Sequence, residues 1–257
     1  MRELDRNPTQ ASSLPTCAVV GCGRLGNALA SALGVAGFAV HGPFGRGADG
    51  AGADVVLLCV PDAEIAAAAA DVIPGPLVAH CSGATGLDVL APHEALALHP
   101  LMTVTGAGAR FAGAGCAIAA TSARALATAR ALAEGLGMVA FELAPEDRAA
   151  YHAAASIASN FLVTLEAAAE GLGASAGVRR EHLVALVRAT VENWARDGAG
   201  PALTGPVARG DRGTVTRQRE AVSERAPELL GLFDALCERT RALAASSSGA
   251  RTVEAAA

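Results

Sequence analysis

The sequence predicts a doubly wound, parallel α/β sheet followed by an all-helical domain, on three observations. Short apolar, β-branched runs alternate with Ala-rich helical stretches from Cys17 to about Ala144. A glycine turn of the form GxGxxG, Gly21-Cys22-Gly23-Arg24-Leu25-Gly26, directly follows the first of those runs. After Pro145 the strand-like runs stop and long helical patterns take over. Alternating strands and helices pack as a parallel sheet with helices on both faces, whereas a run of helices alone packs as a bundle.

CAVVG (Cys17–Gly21) reads as the first strand, and the glycine turn leads into a helix over Leu25–Ala36. FAV (Phe38–Val40) is the expected second strand. DVVLLCV (Asp54–Val60) is continuously apolar, the pattern of a strand covered on both faces. A helix over Asp62–Val72 follows, with Asp62 as its expected cap. LVAHCS (Leu77–Ser82), ALALH (Ala95–His99) and CAIAA (Cys116–Ala120) are further strands. A helix over Ala123–Leu136 precedes the last strand, MVAFEL (Met138–Leu143). Helices are expected over Pro145–Gly171, Glu181–Asp197, Thr214–Arg225 and Pro227–Leu243. The expected organisation is a tail over 1–14, a nucleotide-binding domain over 15–145, a helical domain over 146–244 and a tail over 245–257.

Composition narrows the function classes. Aromatics are 3% of the chain and its net charge is −5, with no basic stripe, which disfavours a nucleic-acid partner. No uncharged apolar run reaches the roughly 18 residues of a membrane span. The six cysteines form no CxxC pair and four lie in or beside apolar strand-like runs, so a reducing cytoplasm and no disulfide framework are expected. No His, Asp or Glu cluster has metal-ligand spacing, and no metal is expected.

The glycine turn carries the strongest chemistry. Its first glycine permits the tight turn and its second admits a dinucleotide pyrophosphate to the backbone. Its third lets the helix pack on the strand, and the helix N-terminus supplies N–H donors. Gly21, Cys22, Gly23, Arg24, Leu25 and Gly26 are therefore expected at the cofactor. Beyond the second strand, VHGPFGRG (Val40–Gly47) offers Arg46 and no carboxylate, which suits a 2′-phosphate and selects NADP over NAD. Val60 and Pro61 of CVPD stand at a strand's carboxyl end, also facing the cofactor.

Proton donors for a reduction are sought first among histidines. His99 precedes Pro100 at a strand end, and His80 reads as structural. His152, Ser156 and Asn160 follow i, i+4, i+8 in YHAAASIASNFLV. That polar stripe either faces a ligand or satisfies carbonyls within a packed helix pair. Ser82 of HCSGATG is expected to line the site. Cys81 beside it lacks the base partner that a thiolate mechanism needs. ALTGPVARGD (Ala202–Asp211) breaks the helical half, with Thr204 and Arg209 as substrate contacts and Asp211 either orienting Arg209 or capping the helix from about Thr214.

Taken together, VGCGRLGNALA, LLCVPD, HCSGATG, ALHPLMTV, YHAAASIASNFLV and ALTGPVARGD resemble the Rossmann-like proteins with a DUF2520 C-terminal domain, over about Thr16–Leu243. The family looks like relatives of pyrroline-5-carboxylate reductases, ketopantoate reductases and 6-phosphogluconate-type dehydrogenases. The resemblance implies an NADP-binding domain, a helical domain that commonly forms a homodimer, and an oxidoreductase. Its expected substrate is a small carbonyl acid such as 2-dehydropantoate. An imine of the pyrroline-5-carboxylate type, or an NADP-sensing regulator without turnover, are the alternatives.

Overall fold

The computed structural model describes residues 14–105 and 109–254, and side chains up to residue 247. The chain divides into two compact units, residues 1–159 and 160–257. The expected N-terminal tail and residues 255–257 fall almost wholly outside the described residues.

The first unit holds a seven-stranded sheet among the described residues, ordered β2-β1-β3-β4-β5-β6-β7. Its strands are β1 (Cys17–Val20), β2 (Val40–Phe44), β3 (Val55–Leu58), β4 (Leu77–His80), β5 (Ala95–Leu101), β6 (Gly115–Ala120) and β7 (Val139–Glu142). Parallel pairing runs from β2 through β5; β6 is antiparallel to β5, and β7 is parallel to β6. The expected parallel sheet thus holds with one antiparallel junction. The chain leaves β1 toward β2 and then reverses toward β3, so the crevice between β1 and β3 is the topological switch where such sheets bind ligands.

Strand alternation builds two cores. Cys17, Val19, Val55, Leu57, Leu77, Ala79, Leu96 and Leu98 face α1 (Arg24–Val35) and α3 (Ala123–Gly135), where Leu29, Leu33 and Leu132 are fully buried. Ala18, Val20, Val56, Leu58 and Val78 face the other way, onto Ile65 and Ala69 of α2 (Ile65–Ala70) and onto Leu90. With apolar residues in demand on both faces, β1, β3 and β4 must be continuously hydrophobic, which is why their sequences were plain to read.

β2 departs from expectation. It begins at Val40, where the predicted strand ends, and contains Gly42 and Pro43, residues that read as a turn. Gly42 has φ +96°, and a Cβ there would stand 2.6 Å from the Val19 carbonyl oxygen. This edge strand is mostly exposed, so the apolar pattern that marks its neighbours is absent. Phe38, read as strand, is instead a buried core residue ahead of it.

The helix expected over Pro145–Gly171 is divided. α4 (Arg148–Ser156) passes through a π turn (Ile157–Phe161) into α5 (Leu162–Ala174). The division between the two units falls inside that π turn. A π turn is a wider, locally costly insertion with no signature in apolar periodicity.

The second unit continues with α6 (Arg180–Asp197), α7 (Ala199–Ala202), α8 (Arg212–Arg225) and α9 (Leu230–Glu254). Asp211 accepts a 3.0 Å hydrogen bond from the Thr214 N–H and caps α8 as expected. α9 runs on to Glu254, through the segment expected as a tail from residue 245. Extending an existing helix adds one hydrogen bond per residue fixed, so Ala244 and Ala245 propagate it at little cost. Leu186, Trp194 and Val163 of this unit are more than half exposed.

The Gly26 contact gives a stability test. A Cβ there would fall 1.9 Å from the Gly21 carbonyl oxygen, with no flexible side chain able to yield. Gly26→Ala is expected to destabilise the protein by about 1–3 kcal/mol, the usual range for overpacking. Gly34→Ala, with nothing within 4 Å of its Cβ, is expected to leave stability unchanged or raise it. Urea denaturation of the two variants measures the difference.

Candidate functional site

The glycine turn is fixed by backbone. The Gly21 N–H donates to the Phe44 carbonyl at 2.8 Å, and the Cys59 N–H donates to the Val20 carbonyl at 2.7 Å. Gly21 has φ +117°, and a Cβ on it would stand 2.3 Å from the Cys59 carbonyl oxygen. Gly23, by contrast, has nothing within 4 Å of its Cβ position. It is the N-cap of α1, which has no side-chain cap and no acidic residue in its first turn. Free N–H groups, a positive helix end and missing Cβ atoms make a cradle for a phosphate. The sequence reading missed Asn27, whose amide donates to the Cys22 and Gly23 carbonyls at 2.7 and 2.9 Å and holds the turn.

The expected cofactor residues sort by what they touch. Cys22, Gly23 and Arg24 line a cavity of about 840 Å³ that extends along α1. Arg46 and Val60 line a separate cavity of about 250 Å³, with Val20 and Glu64. The Leu25 side chain packs on the hydrophobic core and Gly26 is buried. Those two serve the turn rather than present side chains to a ligand. Pro61 is the exposed N-cap of the 3-10 turn Asp62–Glu64. Arg46 is paired with Glu64 at 2.8 Å, with the arginine 87% exposed. The carboxylate absent from the end of β2 is therefore supplied from the segment after β3.

A second cluster lies at the carboxyl ends of β4 and β5. His80 pairs with Ala97, so the parallel register sets His99 level with Ser82. A Cβ on Gly83 would meet His99 Cε1 and Nε2 at 2.9 and 3.0 Å and His152 Cδ2 at 3.1 Å. Two of the three predicted histidines thus flank one buried glycine. His99 Nδ1 lies 2.5 Å from the Tyr151 hydroxyl, whose ring stands edge-on to both His99 and Phe141. His80 is fully buried, its Nδ1 accepting from the Ser82 N–H and its Nε2 at 3.2 Å from the Gly86 carbonyl. That is the structural role expected of it.

Ser82 is engaged within its own loop. Its hydroxyl donates to Asp62 Oδ2 at 2.8 Å and accepts the N–H groups of Ala84 and Thr85 at 3.1 and 3.0 Å. The hydroxyl expected to line the site instead ties the loop after β4 to the loop after β3. Asp62 correspondingly does not cap the helix that follows; neither the 3-10 turn nor α2 has a side-chain cap. Arg148, unremarked in the sequence, is buried beside this loop, with Nη1 3.5 Å from the Ser82 and Gly83 carbonyls.

Ser156 ends α4, and Asn160 lies in the π turn as the first residue of the second unit. The Thr164 hydroxyl donates to the Asn160 backbone carbonyl at 3.1 Å, a bond within the helix that leaves the Asn160 side chain uninvolved. Thr204 and Arg209 lie in the second unit, in the loop between α7 and α8, where Gly205 has φ +100°. Both are exposed. Among the described residues no three His, Cys, Asp or Glu side chains are placed to hold a metal, and no helix is long and apolar enough to cross a membrane.

Burial first, then the charges of His152 and Arg148, push the His99 pKa down to about 4, against the smaller opposing effect of Asp62. His80 is also lowered, chiefly by burial. Unfolded His99 binds a proton near pH 6.5 and folded His99 only near 4, so between those values the unfolded state takes up more protons, and His80 acts in the same direction. Stability from these groups is complete above about pH 6.5 and is lost as pH falls toward 4. The urea midpoint is expected to decline across that window, and His99→Gln to flatten the decline.

A model of the domain of unknown function DUF2520 matches residues 114–240, and a Rossmann-like domain model matches residues 46–103. No curated protein matches the chain. Among solved structures, protein TM1727 from Thermotoga maritima superposes with a TM-score of 0.75 at 22% identity, over 91% of this chain and 100% of that one. A candidate NADP oxidoreductase from Bacteroides fragilis gives 0.74 at 20% identity, over 88% and 98%. The Plasmodium falciparum pyrroline carboxylate reductase with NADP bound gives 0.59 at 11% identity, over 90% and 99%. The two matches fall one in the sheet-bearing part and one mostly in the helical part of the chain, in the order Rossmann-like then DUF2520.

Proposed function

We propose that this protein is an NADP(H)-dependent oxidoreductase that reduces a small carbonyl acid, with 2-dehydropantoate the first substrate to test. One observation carries the reading. An open, uncapped glycine cradle at the β1/β3 switch shares the sheet's carboxyl edge with two imidazoles flanking Gly83. The similarity in fold to the Plasmodium reductase with NADP bound supports it.

The residues fit a dinucleotide. Gly21, Cys22, Gly23 and Arg24 would hold the pyrophosphate on the α1 N-terminus, and Val60 and Pro61 would flank the cofactor. Arg46, beside the 250 Å³ cavity, would take the 2′-phosphate by exchanging its Glu64 partner. A nicotinamide, when bound, supplies the hydride. The chain's own part is to orient the carbonyl and bring a proton to its oxygen.

For that proton His99 and Tyr151 act as a relay: as His99 Nε2–H passes to the developing alkoxide, Nδ1 takes the Tyr151 phenol proton, and the phenolate is reprotonated from water. Burial raises the Tyr151 pKa to about 12, so its phenol keeps its proton and donates to His99 Nδ1. His99 then carries its hydrogen on Nε2, the nitrogen beside Gly83. His152 lies on the other flank of the same glycine and completes the pair. Ser82 holds the loop that presents Gly83, and Ser156 of α4 stays in the reading as a substrate contact. The exposed Leu186, Trp194 and Val163 of the second unit support a homodimer. The absence of a membrane-spanning helix among the described residues fits a cytoplasmic enzyme.

Two measurements test this reading. Arg46→Ala is expected to weaken NADPH binding about ten-fold or more with NADH unchanged, and Glu64→Gln to tighten NADPH binding; an unchanged NADPH/NADH ratio in both variants refutes the phosphate site. NADPH oxidation is then followed with 2-dehydropantoate and with 1-pyrroline-5-carboxylate. Turnover of the imine alone selects imine reduction, and NADPH binding without turnover of either selects a regulator. Gly83→Ala displaces both imidazoles without backbone strain, and is expected to lower kcat/KM at least ten-fold while NADPH affinity holds.

A further inference from the structure

Of the arginines in described ion pairs, Arg46, Arg124, Arg130, Arg179, Arg180, Arg196 and Arg219 all meet a carboxylate at the surface. Arg148 is different. It is only 7% exposed, and among the described residues no carboxylate pairs with it. Its Nη1 reaches the Ser82 and Gly83 carbonyls at 3.5 Å each, the outer limit of a hydrogen bond. Its Nε is sealed from solvent and has no partner. Nη2 makes no described hydrogen bond and is not sealed.

Such a placement is unfavourable in the protein alone. Guanidinium remains charged under all physiological conditions, and a buried cation is costly unless an anion meets it. Burial lowers the Arg148 pKa, in keeping with that cost. Arg148 is also the first residue of α4, at the positive end of the helix dipole, where cations are disfavoured. The surroundings add little relief. His80, His99, His152 and Tyr151 bear no negative charge at neutral pH, and the Asp62 carboxylate is occupied by the Ser82 hydroxyl.

From these contacts we infer that Arg148 is the anion-recognition residue of this site, pairing with the carboxylate of a small 2-oxo or 2-imino acid whose reacting carbon lies against His99 and His152. Arg148, Tyr151 and His152 are i, i+3 and i+4 on α4, so one helix face presents the cation and the ring pair to the Gly83 loop. A planar carboxylate matches the guanidinium fork and replaces two long carbonyl contacts with a charge-assisted pair. The inference rests on the substrate class proposed above, though not on turnover.

The test uses the full-length chain and two non-reacting probes of similar shape, oxamate (anionic) and oxamide (neutral), titrated by ligand-observed NMR with and without NADP. Wild type is expected to bind oxamate at least ten-fold more tightly than oxamide. Arg148→Met is expected to abolish that preference while oxamide binding holds, and Arg148→Lys to retain part of it. Equal binding of the two probes by wild type overturns the inference, as does an undiminished oxamate preference in folded Arg148→Met. Because neither probe is reduced, a protein that turns nothing over but shows Arg148-dependent oxamate binding defeats the reductase reading and leaves this one standing.

Discussion

The approach of β1 to β3 without an intervening side chain is the constraint from which the first unit follows. Gly21 lies where a Cβ would stand 2.3 Å from the Cys59 carbonyl oxygen, and Gly26 where one would stand 1.9 Å from the Gly21 carbonyl oxygen. These are contacts of backbone with backbone, so no rearrangement of a flexible side chain could accommodate a larger residue. The tight turn lets α1 start at Arg24, directly beyond the strand, with its N–H groups uncovered. It also lets Leu29 and Leu33 seat fully on the sheet. The geometry that packs the core is therefore the same geometry that leaves an anion cradle at the edge. Gly23 separates the two demands, because its Cβ position touches nothing and only a ligand would require it to be glycine.

Burial governs the chemistry of the second cluster. Desolvation is the leading cause of the lowered pKa of His80 and His99 and of the raised pKa of Tyr151. Each effect favours the uncharged form, so His80, His99 and Tyr151 add no charge of their own beside the Arg148 cation at Gly83. Asp62 supplies the compensating negative charge, but it is held by Ser82 and acts through the loop. A site built this way orients a carbonyl without offering it a strong acid. That arrangement suits a reaction in which charge develops on oxygen late and is met by a preorganised N–H.

Legibility in the sequence followed burial. β1, β3 and β4 were read to within one or two residues at each end, because covering both faces leaves only apolar residues in their strings. β2 was misplaced, because an exposed edge strand with Gly42 and Pro43 carries neither alternation nor continuity. The π turn at Ile157–Phe161 escaped for a related reason: it alters the angle between successive residues without altering their chemistry. At the site, the glycine turn, His99 and His152 were visible as residue types that need explaining. Arg148 was not, since APEDRAAYH reads as the polar opening of a surface helix and nothing local marks that one of its charges turns inward. Asn27 was likewise invisible and Asp62 was read only as a helix cap, because their roles are contacts with backbone and hydroxyl groups fixed only by the turn geometry. Ser82 shows the reverse case. Its proximity to a glycine-rich loop suggested ligand contact, while Asp62, Ala84 and Thr85 engage its hydroxyl within the two loops.

Two arginines at this carboxyl edge illustrate how the same side chain is set for different work. Arg46 is 87% exposed and paired with Glu64, and an exposed pair of that kind is worth at most about 1 kcal/mol. Its partner can be exchanged for another anion at little cost, which is what the proposed 2′-phosphate contact would require. Arg148 is buried, with two carbonyl contacts of 3.5 Å and one nitrogen without a partner. Its charge has already lost most of its hydration, so an arriving carboxylate recovers interaction that water no longer provides. The exposed arginine can discriminate by charge alone. The buried one, held against the Ser82 and Gly83 carbonyls, would add a demand for fit to the demand for charge.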